Sequence, residues 1–241
     1  MNSFAQDVRY GLRVLLKTPA ITGVAVLTLA LGIGATTAIF TFINAALLRA
    51  LPFPAPERLV SISMTKLGEF TDMDASYPNL RDWRDQNRTF DSVAGYSSDT
   101  GILYGTDGPQ PVSEGIVTAD FFGTLGVNSA LGRVFIPSDA EGPDNYPVVL
   151  SYGLWQQRFG GAASVLGQKI ELTNDQDHTA ATVIGVLPRG FEFGPLGDPQ
   201  VFYLAPRKGG QYERRNLHWI RAVGRLKPGA TMQQAQSDLE A

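Results

Sequence analysis

Twenty-nine consecutive residues, Ala20 to Leu48, carry no charge and no histidine. As a helix rising about 1.5 Å per residue, the run reaches roughly 43 Å, longer than the roughly 30 Å hydrocarbon core of a bilayer. No face of it is polar, which argues against a core helix of a soluble domain. A cleavable signal peptide is the competing reading, and Ala45 and Ala46 resemble its small-residue cleavage site. Signal peptides, however, usually have apolar regions of only about 7–15 residues. The run therefore predicts a membrane-spanning helix over 19–50, with 1–18 before it and 51–241 after it.

The flanks set a direction. Arg9, Arg13 and Lys17 precede the run, opposed by Asp7 alone; Arg49 follows it, and no further base occurs until Arg58. Basic residues stay on the cytoplasmic side, so the N-terminus is expected inside and the larger part outside. Ser3 and Gln6 are spaced as a capping box, and Phe4, Val8, Leu12, Leu15 and Leu16 share one side at helical spacing. Residues 1–18 thus read as an amphipathic helix lying in the cytoplasmic interface, with Arg9, Arg13 and Lys17 near anionic headgroups. A plain basic topogenic flank is the simpler alternative.

Inside the span, Ala30, Gly34 and Ala38 recur every four residues, as do Thr37, Thr41 and Ala45. Small residues at that spacing let helix backbones approach closely in lipid. Gly and Ala are also common in such helices generally, so the stripe is an expectation of partner helices and no more.

After the three prolines of Leu51–Pro56, apolar runs alternate with turn residues. Strands are expected at 58–64, 90–104, 110–117, 147–150, 169–172, 178–186, 201–204 and 217–226. Short helices are expected after Ser76 (Tyr77, Leu80, Trp83 inward), at Phe121–Leu125 before Gly126, after Ser151 (Tyr152, Trp155, Phe159 on one face), and after a Thr231/Gln234 capping box (Met232, Ala235, Leu239 inward). The expected class is an α+β domain of two lobes, with mixed sheets and short helices. The pattern breaks off at Ala241 in mid-helix, which reads as C-terminal truncation.

Composition and motifs exclude more than they assign. A net charge of −3 offers no basic footprint for nucleic acid. There is no G-x-x-x-x-G-K-[ST], no G-x-S-x-G and no H-E-x-x-H, and with no cysteine there is no thiol nucleophile or disulfide. No catalytic, cofactor or metal residue is expected. His178 and His218 read as surface or edge residues; Asp72, Asp74, Asp82 and Asp85 as solvated faces; Arg214 and Arg215 as a loop cluster; the three tryptophans as packing.

An ordered series of segments resembles one family. Leu31-Gly-Ile-Gly-Ala-Thr-Thr-Ala-Ile-Phe40, running into Asn44–Val60, looks like the first membrane helix and exit of MacB/FtsX-type ABC transporter permeases, in their large acidobacterial-type branch. Ser76–Trp83, Val117–Gly126, Val149–Gly161, Val183–Phe191 and Val223–Ala230 continue the likeness through the chain. The resemblance implies a MacB-like periplasmic core at 51–241 and further membrane helices elsewhere. It also implies a cytoplasmic ABC ATPase whose ATP-driven movement is passed mechanically to the outer domain. The expected partners are then the bilayer, that ATPase, and the remaining permease helices or a second permease copy. The location would be the bacterial inner membrane, and the chain itself would be non-catalytic. A stand-alone membrane-anchored binding or sensor module shares this topology and is the alternative.

Overall fold

The structure is a computed structural model that describes residues 6, 9–10, 13, 16–43, 53–66, 70–105, 108–140, 146–173, 178–205 and 210–239. The chain divides into two compact units, Met1–Leu51 and Pro52–Ala241.

In the first unit, α1 spans Pro19–Ile43. Among the described residues it is the one helix long and apolar enough to cross a membrane, with a mean hydropathy of 1.8 over Pro19–Thr37. None of that window is buried within the protein. Thr28, Thr36 and Thr37 turn their hydroxyls back onto the carbonyls of Val24, Gly32 and Ile33, each at 2.8 Å, so their polarity is satisfied inside the helix. Gln6, Arg9, Arg13 and Lys17 are helical and exposed. The expected Ser3 cap and the apolar positions Phe4, Val8, Leu12 and Leu15 lie outside the described residues.

The second unit is mixed α+β, as the sequence predicts. Its strands are β1 Leu59–Ile62, β2 Met64–Lys66, β3 Phe70–Met73, β4 Phe90–Tyr104, β5 Gln110–Val117, β6 Leu131–Gly132, β7 Tyr146–Leu150, β8 Lys169–Thr173, β9 His178–Val186, β10 Val201–Leu204 and β11 Arg221–Leu226. Its helices are α2 Tyr77–Gln86, α3 Phe121–Leu125, α4 Tyr152–Phe159 and α5 Met232–Leu239. Nine strands join in one network ordered β1-β11-β4-β5-β10-β7-β9-β6, and β8 bridges β4 and β9; β2 and β3 form a separate hairpin.

The β8 bridge closes a ring. Following pairings from β4 through β5, β10, β7, β9 and β8 returns to β4, where Leu103 faces Leu172. The registers keep one face continuous around it: Val112 opposite Gly101, Val201 opposite Glu114 and Leu150, Val183 opposite Val148, Ile170 opposite Ala181. Strand side chains alternate faces, so these residues share the inward side, and the apolar ones among them form one buried cluster with Leu154 of α4. A second cluster lies at the β1/β11 end, under Leu80 of α2 and Ala235 of α5. A third, largely aromatic, takes in Phe53, Tyr96, Phe121, Phe122, Phe135, Phe193 and Phe202.

Local signals set the helix ends. Ser76 Oγ accepts from Asn79 N at 3.3 Å, and Ser151 Oγ from Leu154 N at 3.2 Å. Thr231 and Gln234 form the reciprocal box: Thr231 N donates to Gln234 Oε1 (2.9 Å) and Gln234 N to Thr231 Oγ1 (3.2 Å). Gly126 (φ 73°) and Gly160 (φ 60°) end α3 and α4 in the left-handed region.

Some expected faces differ. Met232 is 62% exposed while Ala235 is buried; side chains lean toward a helix's N-terminus, so the first residue of α5 overhangs the packed surface. In α4 the fully buried residue is Leu154. Tyr152, Trp155 and Phe159 are half-buried around it, with Tyr152 and Trp155 edge-to-face at 5.4 Å. The alternation read over 217–226 becomes a strand only from Arg221, and β11 is buried on both faces: Ala222 and Leu226 in one cluster, Val223 in another. The acidic residues are not all simply solvated. Asp82 meets Arg215 (2.6 Å) and Asp74 meets Arg221 (3.0 Å), both at the surface.

Candidate functional site

The second unit receives the chain at Phe53–Arg58, and its most specific polar construction is there. Phe53 is 6% exposed. Its ring lies 6.2 Å from those of both Phe191 and Phe193. Phe193 in turn packs edge-to-face on Tyr96 and Phe121, at 5.0 and 5.3 Å. The chain's entry is thus one member of the aromatic cluster.

Pro54 and Ala55 follow. Ala55 has φ 46° and ψ 61°, the one left-handed non-glycine residue among those described. That conformation costs an L-residue about 1–2 kcal/mol and persists only where its surroundings enforce it. Arg225, in β11 and paired with Leu59 of β1, does so. Its Nη1 donates to the carbonyls of Pro54 (2.8 Å) and Ala55 (3.3 Å), and its Nε to that of Thr124 at the end of α3 (2.7 Å). Arg58 N returns a bond to Ala55 O at 3.0 Å. Opposite, Gly126 brings its backbone against the Pro54 ring: a Cβ there would sit 3.1 Å from Pro54 Cδ and Cγ.

The electrostatics are unusual. Arg225 is 9% exposed, and its bonds to Pro54, Ala55 and Thr124 all go to backbone carbonyls. Burial, and then the like charge of Arg58, hold its affinity for a proton below that of an ordinary arginine, while Asp91 and Glu57 offset this at a distance. Its Nη2 is buried without a partner among the described residues. Arg58 is ion-paired with Asp91 and places its Nε on Leu226 O at 2.7 Å, fastening the entry to the end of the last strand.

The other end of the unit is fastened to the same region. Asp238 of α5 accepts from Arg88 N (2.6 Å), Thr89 N (3.0 Å) and Thr89 Oγ1 (2.9 Å). Those bonds, the Arg88 amide first, keep its carboxyl below the usual range. Lys227 Nζ caps Arg88 O at 2.6 Å.

This arrangement fastens the entry segment to the core through backbone carbonyls. Among the described residues no three His, Asp or Glu side chains gather into a possible metal site. Of the residues singled out in the sequence, Ala30, Gly34 and Thr37 lie exposed on α1, and Gly34 has open space where a Cβ would be. The side chains of Ala38 and Thr41, and Ala45 altogether, lie outside the described residues. Arg9, Arg13 and Lys17 are exposed.

Sequence reasoning missed Phe53, Ala55, Arg225 and Glu114. For Glu114 a signal existed: Val112, Glu114 and Ile116 share parity, so alternation puts a carboxylate on an apolar face. Arg225 had none, because β11 is buried on both faces and alternation along it does not mark which residues are enclosed.

Residues 22–241 match the MacB-like periplasmic core domain family. Among solved structures, a domain assigned to a permease protein of Porphyromonas gingivalis superposes with a TM-score of 0.54 at 17% identity, over 77% of this chain and 82% of that one. The periplasmic region of MacB from Actinobacillus actinomycetemcomitans gives 0.53 at 16% identity, over 75% and 79%. At such identities the likeness is one of fold. No curated protein matches. The family match covers the apolar helix from Thr22 and all that follows, and the chain belongs to the MacB-like periplasmic core domain family.

Proposed function

We propose that this chain is part of an ABC-type permease in which a cytoplasmic ATPase moves the outer domain through the membrane helix. In this reading 1–18 lie at the cytoplasmic face, 19–50 cross the inner membrane with the N-terminus inside, and 51–241 stand outside as the periplasmic core. The chain is non-catalytic and passes on work done elsewhere; it carries no P-loop of its own. The remaining permease helices, or a second copy, pack on the stripe of Ala30, Gly34, Thr37, Ala38, Thr41 and Ala45.

The observation that carries this reading is the fastening of Pro54 and Ala55 by Arg225, with Phe53 set in the aromatic cluster. A tether needs only a flexible linker. Here the residues that follow the membrane helix are built into the core, so a displacement of Phe53 is delivered to the packed interior. Close-packed interiors transmit strain, because they deform little.

The chain has no cysteine, so single labels can be introduced freely. Ile136→Cys carries a spin label on the exposed domain surface. The labelled chain is assembled, within its complete permease, with the ATPase in nanodiscs, and the distance between copies is measured. An ATP-dependent change in that distance, lost in Arg225→Met while ATP hydrolysis continues, is the expected result. A distance indifferent to ATP overturns the reading.

A further inference from the structure

Glu114 lies on the inward face of the strand ring, 2% exposed, between Val112 and Ile116 of β5. Its Oε2 is buried and has no hydrogen-bond partner among the described residues. Directly across on β4 stands Asp99, and two residues along is Gly101, whose missing side chain makes the room: a Cβ there would lie 2.2 Å from Glu114 Oε1. From β10, the Tyr203 hydroxyl bonds the Glu114 carboxyl, and Val201 is its register partner. From α4 comes Leu154, which is neutral, while Arg158 is occupied with Gln110 Oε1 and Gly108 O, both at 2.8 Å. The charged or titratable groups acting on Glu114 are therefore Asp99, which opposes its ionisation, and Tyr203, which favours it. Among the described residues no cation compensates it.

We propose that Glu114 is a proton-operated pin of the strand ring: neutral, it stays packed between Gly101 and Tyr203, and on releasing its proton to solvent it is driven from the ring, loosening the β5–β10 pairing. The physical cause is desolvation. A lone carboxylate buried without a counter-charge is held chiefly by becoming neutral, and a second carboxylate on the neighbouring strand adds to the cost of ionising. The pairing it touches is a parallel one of four residues, Val201–Leu204, and it completes the ring between β5 and β7. Burial first, then Asp99, push the carboxyl up to about 7, inside the range an extracytoplasmic compartment can experience. The pin is a property of the domain and does not depend on the transport reading.

Hydrogen exchange of the whole chain in detergent tests it, with wild type and Glu114→Gln compared at each pH so that intrinsic exchange cancels. In peptides covering 110–117 and 201–204, the wild-type to variant ratio should be near one at about pH 4, climb as pH rises toward about 7 and level off above it. The rise should reach at least roughly tenfold, the size expected for a shift of more than one pKa unit. Peptides covering β1 and β11 should stay level. Two variants that leave Glu114 in place move the midpoint in opposite directions: Asp99→Asn lowers it and Tyr203→Phe raises it. A ratio flat with pH, or a midpoint unmoved by both variants, overturns the proposal.

Discussion

Arg225 donates to the carbonyl of Ala55, the one described non-glycine residue with a left-handed backbone, and holds it from a strand far along the chain. The contact ties a strained conformation to a buried charge, so the two residues should respond to mutation with opposite signs. Arg225→Met strands the carbonyls of Pro54 and Thr124 and should cost about 2–4 kcal/mol, on the order of one or two buried polar groups left unpaired. Arg225→Lys should recover little, because one ammonium cannot span the same fork. Ala55→Gly should stabilise by up to about 1 kcal/mol, as the left-handed penalty disappears and glycine's greater unfolded-state entropy returns part of it. Urea unfolding of the full chain in detergent, followed by tryptophan fluorescence, reads all three. Equal losses in Ala55→Gly and Arg225→Met would contradict the assignment of strain to Ala55.

Phe53 tests whether the entry belongs to the core. Removing a ring buried against Phe191 and Phe193 should cost about 3–5 kcal/mol if the surroundings cannot collapse. Phe53→Leu, which keeps most of the apolar volume, should cost less than half of that. If Phe53→Ala proves as stable as wild type in urea, the segment is a linker and the coupling reading loses its support.

Glu114 gives the domain a pH dependence of defined sign. Its folded-state pKa, about 7, lies above the ordinary 4.5, so the folded state binds its proton more tightly than the unfolded state. The native state therefore carries no penalty from this group below about pH 4.5, loses stability as pH rises toward 7, and levels off above it. The full loss is about 3 kcal/mol as an upper bound, from 1.36 kcal/mol per unit. Glu114→Gln should flatten this segment of the stability curve and unfold at higher urea than wild type at about pH 8. A wild-type midpoint that climbs steadily from pH 5 to 8 would sink the assignment.

Much of the fold could be read from local signals, since each acts within a few residues. The boundaries of β4 and β5, the Ser76 and Ser151 caps, the Thr231/Gln234 box and the stop at Gly126 depend on alternation and hydrogen bonds to near neighbours. The ring closed by β8 and β4 could not be read, because pairing Leu103 with Leu172 joins residues with no periodicity in common. Arg225 was opaque for the same reason: its partners, Pro54, Ala55 and Thr124, lie a hundred or more positions away. Met232 shows the reverse error, in which the right periodicity was carried one residue past the packed surface.

The stripe on α1 can be separated from general effects of bulk by its own geometry. Gly34 lies at the stripe's centre, while Gly32 lies about 160° around the helix, at about 100° per residue. Both have nothing within 4 Å of where a Cβ would stand, so Leu fits at either without disturbing the protein's own fold. Gly32→Leu and Gly34→Leu also change hydrophobicity and helix propensity alike. If small residues admit a partner helix, Gly34→Leu should weaken association with the other permease helices or a second copy by roughly 1–2 kcal/mol, about five- to thirtyfold in affinity. Gly32→Leu should leave association within twofold of wild type. Energy transfer between labelled copies in bilayers measures both, and urea unfolding should give the outer domain the same midpoint in each. Equal losses from the two variants would assign the effect to helix flexibility, since either glycine loosens the helix; no loss from either would leave α1 an anchor, with Ala30, Gly34 and Ala38 facing lipid.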